Sequence, residues 1–397
     1  MFDLSAVQSA IGQLGFDGWL LYDFRGLNVL ARRVVGLDSG AMLSRRWFYY
    51  VPAKGEPRKL VHRIEPRALD HLPGDARQYL RWQDLEAGVG SLVKGAKRVA
   101  MEYVPRNANP YVSRVDAGTV ELVRSFGVEI LPSGDLIQMF EACWDDEQWA
   151  MHQEAAKHTQ TAFDAAFAFI AQSVQRDGSV CETAVQKRIL DHFAAHGLIT
   201  DHSPICAVGP HSADPHYEPR PGPDSIIRAG NFVLVDLWAK VDKPRAVYSD
   251  LTWTGYVGTE VPARCEEIFQ IVARGRDAAI QRVRDAFARG EALQGWQVDR
   301  AARDVIEQAG HGEHFCHRTG HSIGQETHGN GANMDDLETH EERRVLPRTC
   351  FSVEPGIYLP GDFGVRSETN VFVDANRLVH VTGGPLQTRV LPILAGR

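Results

Sequence analysis

The sequence lacks several things, and each absence removes a class of protein. No apolar run approaches the roughly 20 residues that a membrane helix needs. The six cysteines, Cys143, Cys181, Cys206, Cys265, Cys316 and Cys350, are scattered and form no CxxC pair. Neither a disulfide scaffold nor a structural zinc module is expected, and a reducing cytoplasm is the expected compartment. The opening stretch, MFDLSAVQSAIGQLGFDG, has no basic flank before an apolar segment, so no signal peptide is expected. Positive charge is not in excess: 43 Lys plus Arg face 51 Asp plus Glu, a net charge of −8. That argues against a nucleic-acid partner, which calls for a basic patch. Low-complexity segments are absent.

What remains is an ordinary soluble composition, 44% hydrophobic and 24% charged, in 397 residues, enough for two or three domains. Two styles of sequence divide the chain. Residues 1–140 alternate short apolar runs with turns: GWLLYD at 18–23, RWFYYVPAKGEPRKLVHRI from 46 and RVAMEYVP from 98 predict strands, with helices near 4–14 and 112–126. This is an α/β pattern without a cluster of His, Asp or Glu. The second part, 141–397, opens on Asp145 and Asp146, which favour a helix start. Phe163, Phe167 and Ile170 then share one helix face. Further helices are predicted at about 181–196, from Pro262 to about Gly290, and over QVDRAARDVIEQAG.

Strands between these helices carry awkward acids. Asp236 interrupts NFVLVDLW, a run that reads as buried on both faces. Glu354 poses the same problem in CFSVEPGIYL. An unpaired buried carboxylate costs several kcal/mol, and taken singly each acid fits a buried ion pair at least as well. The pattern shifts that balance. Asp250 follows Asp236, and Glu368 follows Glu354, each by 14 residues and across a turn, VDKPRA in one case and PGDFG in the other. Two hairpins, each presenting two carboxylates, form an internal pseudo-repeat. Like charges opposed on a hairpin destabilise it unless a cation intervenes. Four facing carboxylates call for about two divalent metals, and an added imidazole favours Mn, Co, Fe or Zn. Nine of the 16 histidines lie between 202 and 340, most densely in HRTGHSIGQETHG. His216, in ADPHYEP, is a weaker candidate.

At these residues the sequence resembles the pita-bread metallopeptidases, the family of methionine aminopeptidase, aminopeptidase P, prolidase and creatinase. The matching stretches are VLVDLWA, YSDLTWTGYV, HRTGHSIGQETHG, FSVEPGIY and GVRSE, in the family's order, and they span most of 145–397. The resemblance implies an α+β fold: a pita-bread C-terminal domain with a pseudo-two-fold repeat, preceded by a smaller α/β creatinase-type N-terminal domain. It implies Asp236 as a bidentate ligand, Asp250 and Glu368 as bridging carboxylates, and His321 and Glu354 as the remaining ligands of two metal ions, most typically Mn. It further implies that Glu354 shuttles the proton of a metal-bridging hydroxide, that His216 and His328 hold the substrate and its tetrahedral intermediate, and that Arg366 supports the site. The implied activity is hydrolysis of the bond before proline in Xaa-Pro dipeptides. An Xaa-Pro aminopeptidase acting on longer peptides is the second reading. A creatinase-like C–N hydrolase or a metal-free binding protein stands behind both. Small peptides are the implied partners, and the family's homodimers admit one here.

Three features depart from the family's pattern. The connection from Asp236 to Asp250 is about three residues longer, around Asp242-Lys243-Pro244, which a turn absorbs. Trp253 stands where an arginine is common. Gly329 after His328, and Ser367 and Thr369 around Glu368, also differ. With all five ligands kept, these differences read as substrate tuning.

Overall fold

The computed structural model describes residues 2–37, 40, 43–220 and 225–395. The chain divides into two compact units, Met1–Glu141 and Ala142–Arg397.

The first unit holds α1 (Leu4–Gln13), β1 (Gly18–Asp23), α2 (Val29–Val34), β2 (Trp47–Pro52), β3 (Arg58–His62), β4 (Asp75–Tyr79), α3 (Trp82–Leu92), β5 (Arg98–Met101), α4 (Ala117–Arg124), β6 (Glu129–Pro132) and α5 (Gly134–Glu141). The six strands form one sheet in the order β4-β3-β2-β1-β5-β6. Side chains alternate across a strand, so GWLLYD serves two cores. Trp19 and Leu21 join Val7, Ile11 and Leu136 on one face. Leu20 and Tyr22 join Leu85, Val89 and Val120 on the other. Helices therefore cover both faces, which explains why β1 is buried throughout. β4 was not expected: four of its five residues are exposed, so no alternation marks it, as is common at a sheet edge.

The second unit holds α6 (Asp146–Asp177), β7 (Val180–Cys181), α7 (Glu182–Ala195), β8 (Leu198–Ile199), β9 (Ile205–Val208), β10 (Ile226–Ile227), β11 (Phe232–Val241), β12 (Ser249–Tyr256), α8 (Ala263–Arg289), α9 (Gly295–Gln308), β13 (Ser322–Ile323), β14 (Cys350–Val353), β15 (Gly356–Leu359), β16 (Phe363–Arg366), β17 (Thr369–Val373), β18 (Val379–Thr382) and β19 (Leu391–Pro392). Asp145 caps α6, taking the Gln148 N–H while Gln148 returns a bond to the Asp145 N–H. Gly290 ends α8 at φ 70°, a conformation that favours glycine. Two helix pairs each back a sheet built on an antiparallel strand pair. α6 and α7 pack Phe163, Phe167 and Ile189 on Val233, Val235 and Leu237 of β11. α8 and α9 pack Ile280, Val283 and Val298 on Phe351, Val353 and Val371 of β14 and β17. This repetition is the pseudo-two-fold expected from the paired carboxylate strands. No described helix is long and apolar enough to cross a membrane.

Candidate metal centre

Asp236 sits in mid-β11. Its neighbours Val235 and Leu237 turn toward α6, so alternation sends Asp236 to the opposite face. In the β11–β12 register Asp236 pairs with Thr252, and Asp250 pairs with Trp238. The two aspartates are therefore diagonal neighbours on their hairpin rather than directly opposed. The other arm differs. β14 and β17 pair as far as Val353 with Thr369, and β15 and β16 resume with Gly356 opposite Arg366. Glu354 and Glu368 lie opposite each other in the gap between those ladders. Two bonds tie the arms together: the Glu368 N–H donates to Thr252 O at 3.2 Å, and the Asp250 N–H to Asn370 Oδ1 at 2.9 Å.

The side chains converge. One ligand atom from each of Asp250, His321 and Glu368 lies within 4.8 Å of the other two, and all three residues are buried. His321 Nε2 is 3.4 Å from Asp250 Oδ2 and 3.3 Å from Glu354 Oε1. The Thr252 hydroxyl lies between Asp236 Oδ1 at 2.9 Å and Glu368 Oε2 at 2.7 Å, and its one hydrogen serves one of them at a time. Arg366 Nε donates to Thr252 Oγ1 at 2.9 Å, and its Nη2 donates to Asp236 Oδ2. Ser352 Oγ accepts the His321 N–H at 2.9 Å and donates to Glu354 Oε1 at 2.8 Å.

Electrostatics show what the cluster lacks. Burial, then the charges of neighbouring acids, pushes the carboxyls of Asp250 and Glu368 well above the usual range. Burial raises Asp236 too, against the opposing pull of Arg366. Burial would also raise Glu354, but His321, Arg366 and His317 hold it below its ordinary value. Glu368 Oε1 is buried without a hydrogen-bond partner. One guanidinium does not balance four carboxylates, and an orphaned buried oxygen is costly. Four carboxylates and one imidazole, with an acceptor left over, fit divalent cations. The fit is uneven, because Thr252 and Arg366 already engage both oxygens of Asp236.

The remaining expected residues separate. His328 lies edge-on to His321, with ring centroids 4.3 Å apart. The His321 charge and then burial push it down to about 3. His216 is exposed, its N–H donates to Asp214 Oδ1 at 3.1 Å, and among the described residues no hydrogen bond or ion pair joins it to the cluster. The neighbouring Tyr217 is anchored by Glu182 Oε2 at 2.6 Å and stacks on His211.

A comparison of the whole chain with protein-family models matches residues 150–375 to metallopeptidase family M24. The chain belongs to that family. The M24 chain is 33% identical over 212 residues to a protein named probable dipeptidase PepE from Mycobacterium bovis, 53% of this chain and 52% of that one. It thus spans about half the length of that curated relative. Among solved structures it is similar to the dipeptidase PepE of Mycobacterium ulcerans, with a TM-score of 0.68, 23% identity, and 98% and 96% of the two chains covered. It is also similar to an Xaa-Pro dipeptidase from Bacillus anthracis, with a TM-score of 0.60, 23% identity, and 98% and 99% covered. Those structures share the pita-bread fold with this M24 chain.

Three of the M24 chain's departures have structural explanations. Trp253 is on the face away from the cluster, stacked on Phe163 at 5.6 Å, so it is a packing residue rather than a tuning one. Ser367 Oγ accepts from the buried Arg276 at 2.6 Å, and Thr369 Oγ1 donates to Thr382 O at 2.9 Å. The long turn bonds through Asp242 N–H to Gly197 O at 3.0 Å, and Arg245 O accepts from Gln148 Nε2 at 3.2 Å. It is fastened to the start of α6 and the end of α7.

The tryptophan that does border the site is Trp238, half-buried and opposite Asp250. Its Nε1 donates to Asp201 Oδ1 at 2.9 Å, and the same oxygen accepts from Thr327 Oγ1 at 3.4 Å. Lys240, two residues further along, donates to Gln325 O at 2.6 Å and lies over the Tyr248 ring. These bonds tie β11 to the segment that carries His328. Trp238 follows Asp236 by two residues, so strand alternation alone could have placed it on the cluster face.

Proposed function

We propose that this chain is a two-metal peptidase that cleaves the bond before proline in Xaa-Pro dipeptides. The convergence of Asp250, His321 and Glu368 within 4.8 Å, all buried, carries the reading. Asp236, with Asp250 and Glu368, would hold one ion, and His321 and Glu354, with the same two acids, would hold the second. When bound, two divalent ions polarise a peptide carbonyl and make water nucleophilic near neutral pH. The protein's own part is positional. Ser352 orients Glu354 and His321 together, so Glu354 is set to hold and pass on a proton. Arg366 and Thr252 fix Asp236. His328 is kept neutral beside His321, which suits it to donate to a developing oxyanion. His216 serves the substrate only if its loop approaches on binding. A relative named Xaa-Pro dipeptidase and a first unit of 141 residues support the dipeptide preference.

The test is metal analysis with parallel Mn²⁺-supplemented assays of Xaa-Pro dipeptides and Xaa-Pro-Xaa tripeptides. We expect about two ions per chain and faster turnover of dipeptides. Turnover of tripeptides with dipeptides untouched would move the reading to an aminopeptidase. Fewer than about one ion per chain after reconstitution, without stabilisation by Mn²⁺, would end the two-metal reading.

A further inference from the structure

The first unit has a cavity of its own, of about 460 Å³. It lies at one end of the sheet. β1, β3 and β4 run in the same direction, since β2 is antiparallel to both β1 and β3 while β3 and β4 are parallel. The carboxyl ends of these three strands supply Tyr22, His62 and Tyr79 to the wall. In open α/β sheets the space beyond the strands' carboxyl ends is where ligands bind.

The chemistry of the wall is one-sided. Three arginines line it, Arg45, Arg46 and Arg81, against one lining acid, Asp116. Asp116 is already engaged, capping α4 through the Thr119 N–H at 2.9 Å and accepting the Thr119 hydroxyl at 2.8 Å and the Tyr22 hydroxyl at 3.2 Å. Arg45 is partly balanced by Glu65 behind it. Arg46 and Arg81 form no ion pair among the described residues. His62 is 9% exposed, and its Nδ1 accepts the Ile64 N–H at 3.1 Å. Its Nε2 has no hydrogen-bond partner among the described residues.

Two further features point to an anion with an apolar body. α3 begins at the cavity, and Arg81 at its N-cap has no acceptor to offer the first-turn N–H groups. Asp84 in that turn bonds back to the Arg81 N–H at 3.1 Å. Beside it Leu80 and Trp82 are 52% and 63% exposed, among the few large apolar side chains left open. Arg46 and Arg81, the two cations without an ion pair among the described residues, leave room for a dianion, and a cavity of this volume suits a small organic ligand.

We propose that this cavity binds a phosphate monoester carried on a planar ring, with the phosphate held by Arg46, Arg81 and the start of α3 and the ring against Trp82. The probe is adenosine 5′-monophosphate, titrated calorimetrically into the full chain at low salt. One saturable site is expected, with adenosine and inorganic phosphate each binding at least about tenfold more weakly. Arg46→Ala and Arg81→Ala, each with an unchanged unfolding midpoint, should each weaken binding about tenfold or more. Removal of divalent metal by a chelator should leave binding unchanged, which separates this cavity from the metal centre. Absence of saturable binding overturns the proposal, as does equal affinity in both arginine variants or loss of binding with the chelator. Adenosine binding as tightly as the monophosphate overturns the anion site, and phosphate binding as tightly overturns the ring wall.

Discussion

Two buried acids in different units have opposite physical situations. Glu102, in RVAMEYVP, is 0% exposed, and burial pushes its carboxyl up. It is nevertheless satisfied by neutral donors: Trp19 Nε1 at 2.7 Å, Asn28 Nδ2 at 2.8 Å and Ser133 Oγ at 3.0 Å. Glu368, 4% exposed, shares one hydroxyl with Asp236 and leaves Oε1 without any partner. Glu102 follows the apolar end of β5, whereas Glu368 is flanked by Ser367 and Thr369. The difference lies in the partners, which come from distant parts of the chain in each case. Glu102 collects enough donors to stand without a cation, whereas Glu368 is left short of them.

That contrast can be broken most directly at Glu368. Glu368→Gln should lower activity on Xaa-Pro dipeptides by roughly a thousandfold, because several kcal/mol of metal-dependent stabilisation is removed. Metal content should fall with it. Full activity with normal metal content would mean that Glu368 is as structural as Glu102. The reverse substitution is Glu102→Ala, which strands three buried donors and should cost about 3 kcal/mol of stability in chemical denaturation. Its metal stoichiometry should not change, and a loss of metal there would dissolve the distinction.

A buried base sharpens the same point. His152 is fully buried, bonded through Nδ1 to Tyr248 O at 2.8 Å and through Nε2 to Thr382 Oγ1 at 2.6 Å. Burial pushes it down from 6.5 to about 4. The unfolded chain therefore takes up this proton first as pH falls. The stability it supports is intact above about pH 6.5 and is lost as pH drops toward 4, by up to about 3 kcal/mol. Urea midpoints at pH 7.5 and 5.0 should show the drop, and His152→Gln should flatten it. The smallest effect contrasts two tryptophans. Trp238→Ala should raise KM severalfold, since roughly 1 kcal/mol of aromatic contact beside the site is lost. Trp253→Leu should lower the unfolding midpoint and leave KM alone. Equal KM changes would show that Trp238 does not border the substrate.

Much of the second unit was legible because its signals are local. Asp145 with Gln148, Gly290, and the spacing of Phe163, Phe167 and Ile170 mark helices within one or two turns of chain. In the first unit α3 was not anticipated, since Gly88 and Gly90 dilute its helical pattern, and β4 lacks alternation. The matched spacings pointed to four carboxylates that the fold brings near one another, but not to their pairing. Register depends on where each ladder starts and on the gap between β14 and β15, and no count of residues contains that.

By itself the sequence determined which residue types stand in apolar strands, and so which acids needed a partner. Side-chain alternation and the cost of an unpaired charge are properties of a few adjacent residues. Only the tertiary structure decided which of those acids found neutral donors and which were left facing one another. It also decided that Trp238 rather than Trp253 meets the site, and that arginines separated by more than 30 residues converge on one cavity. Charges interact over ångströms in space, and the fold alone sets those distances.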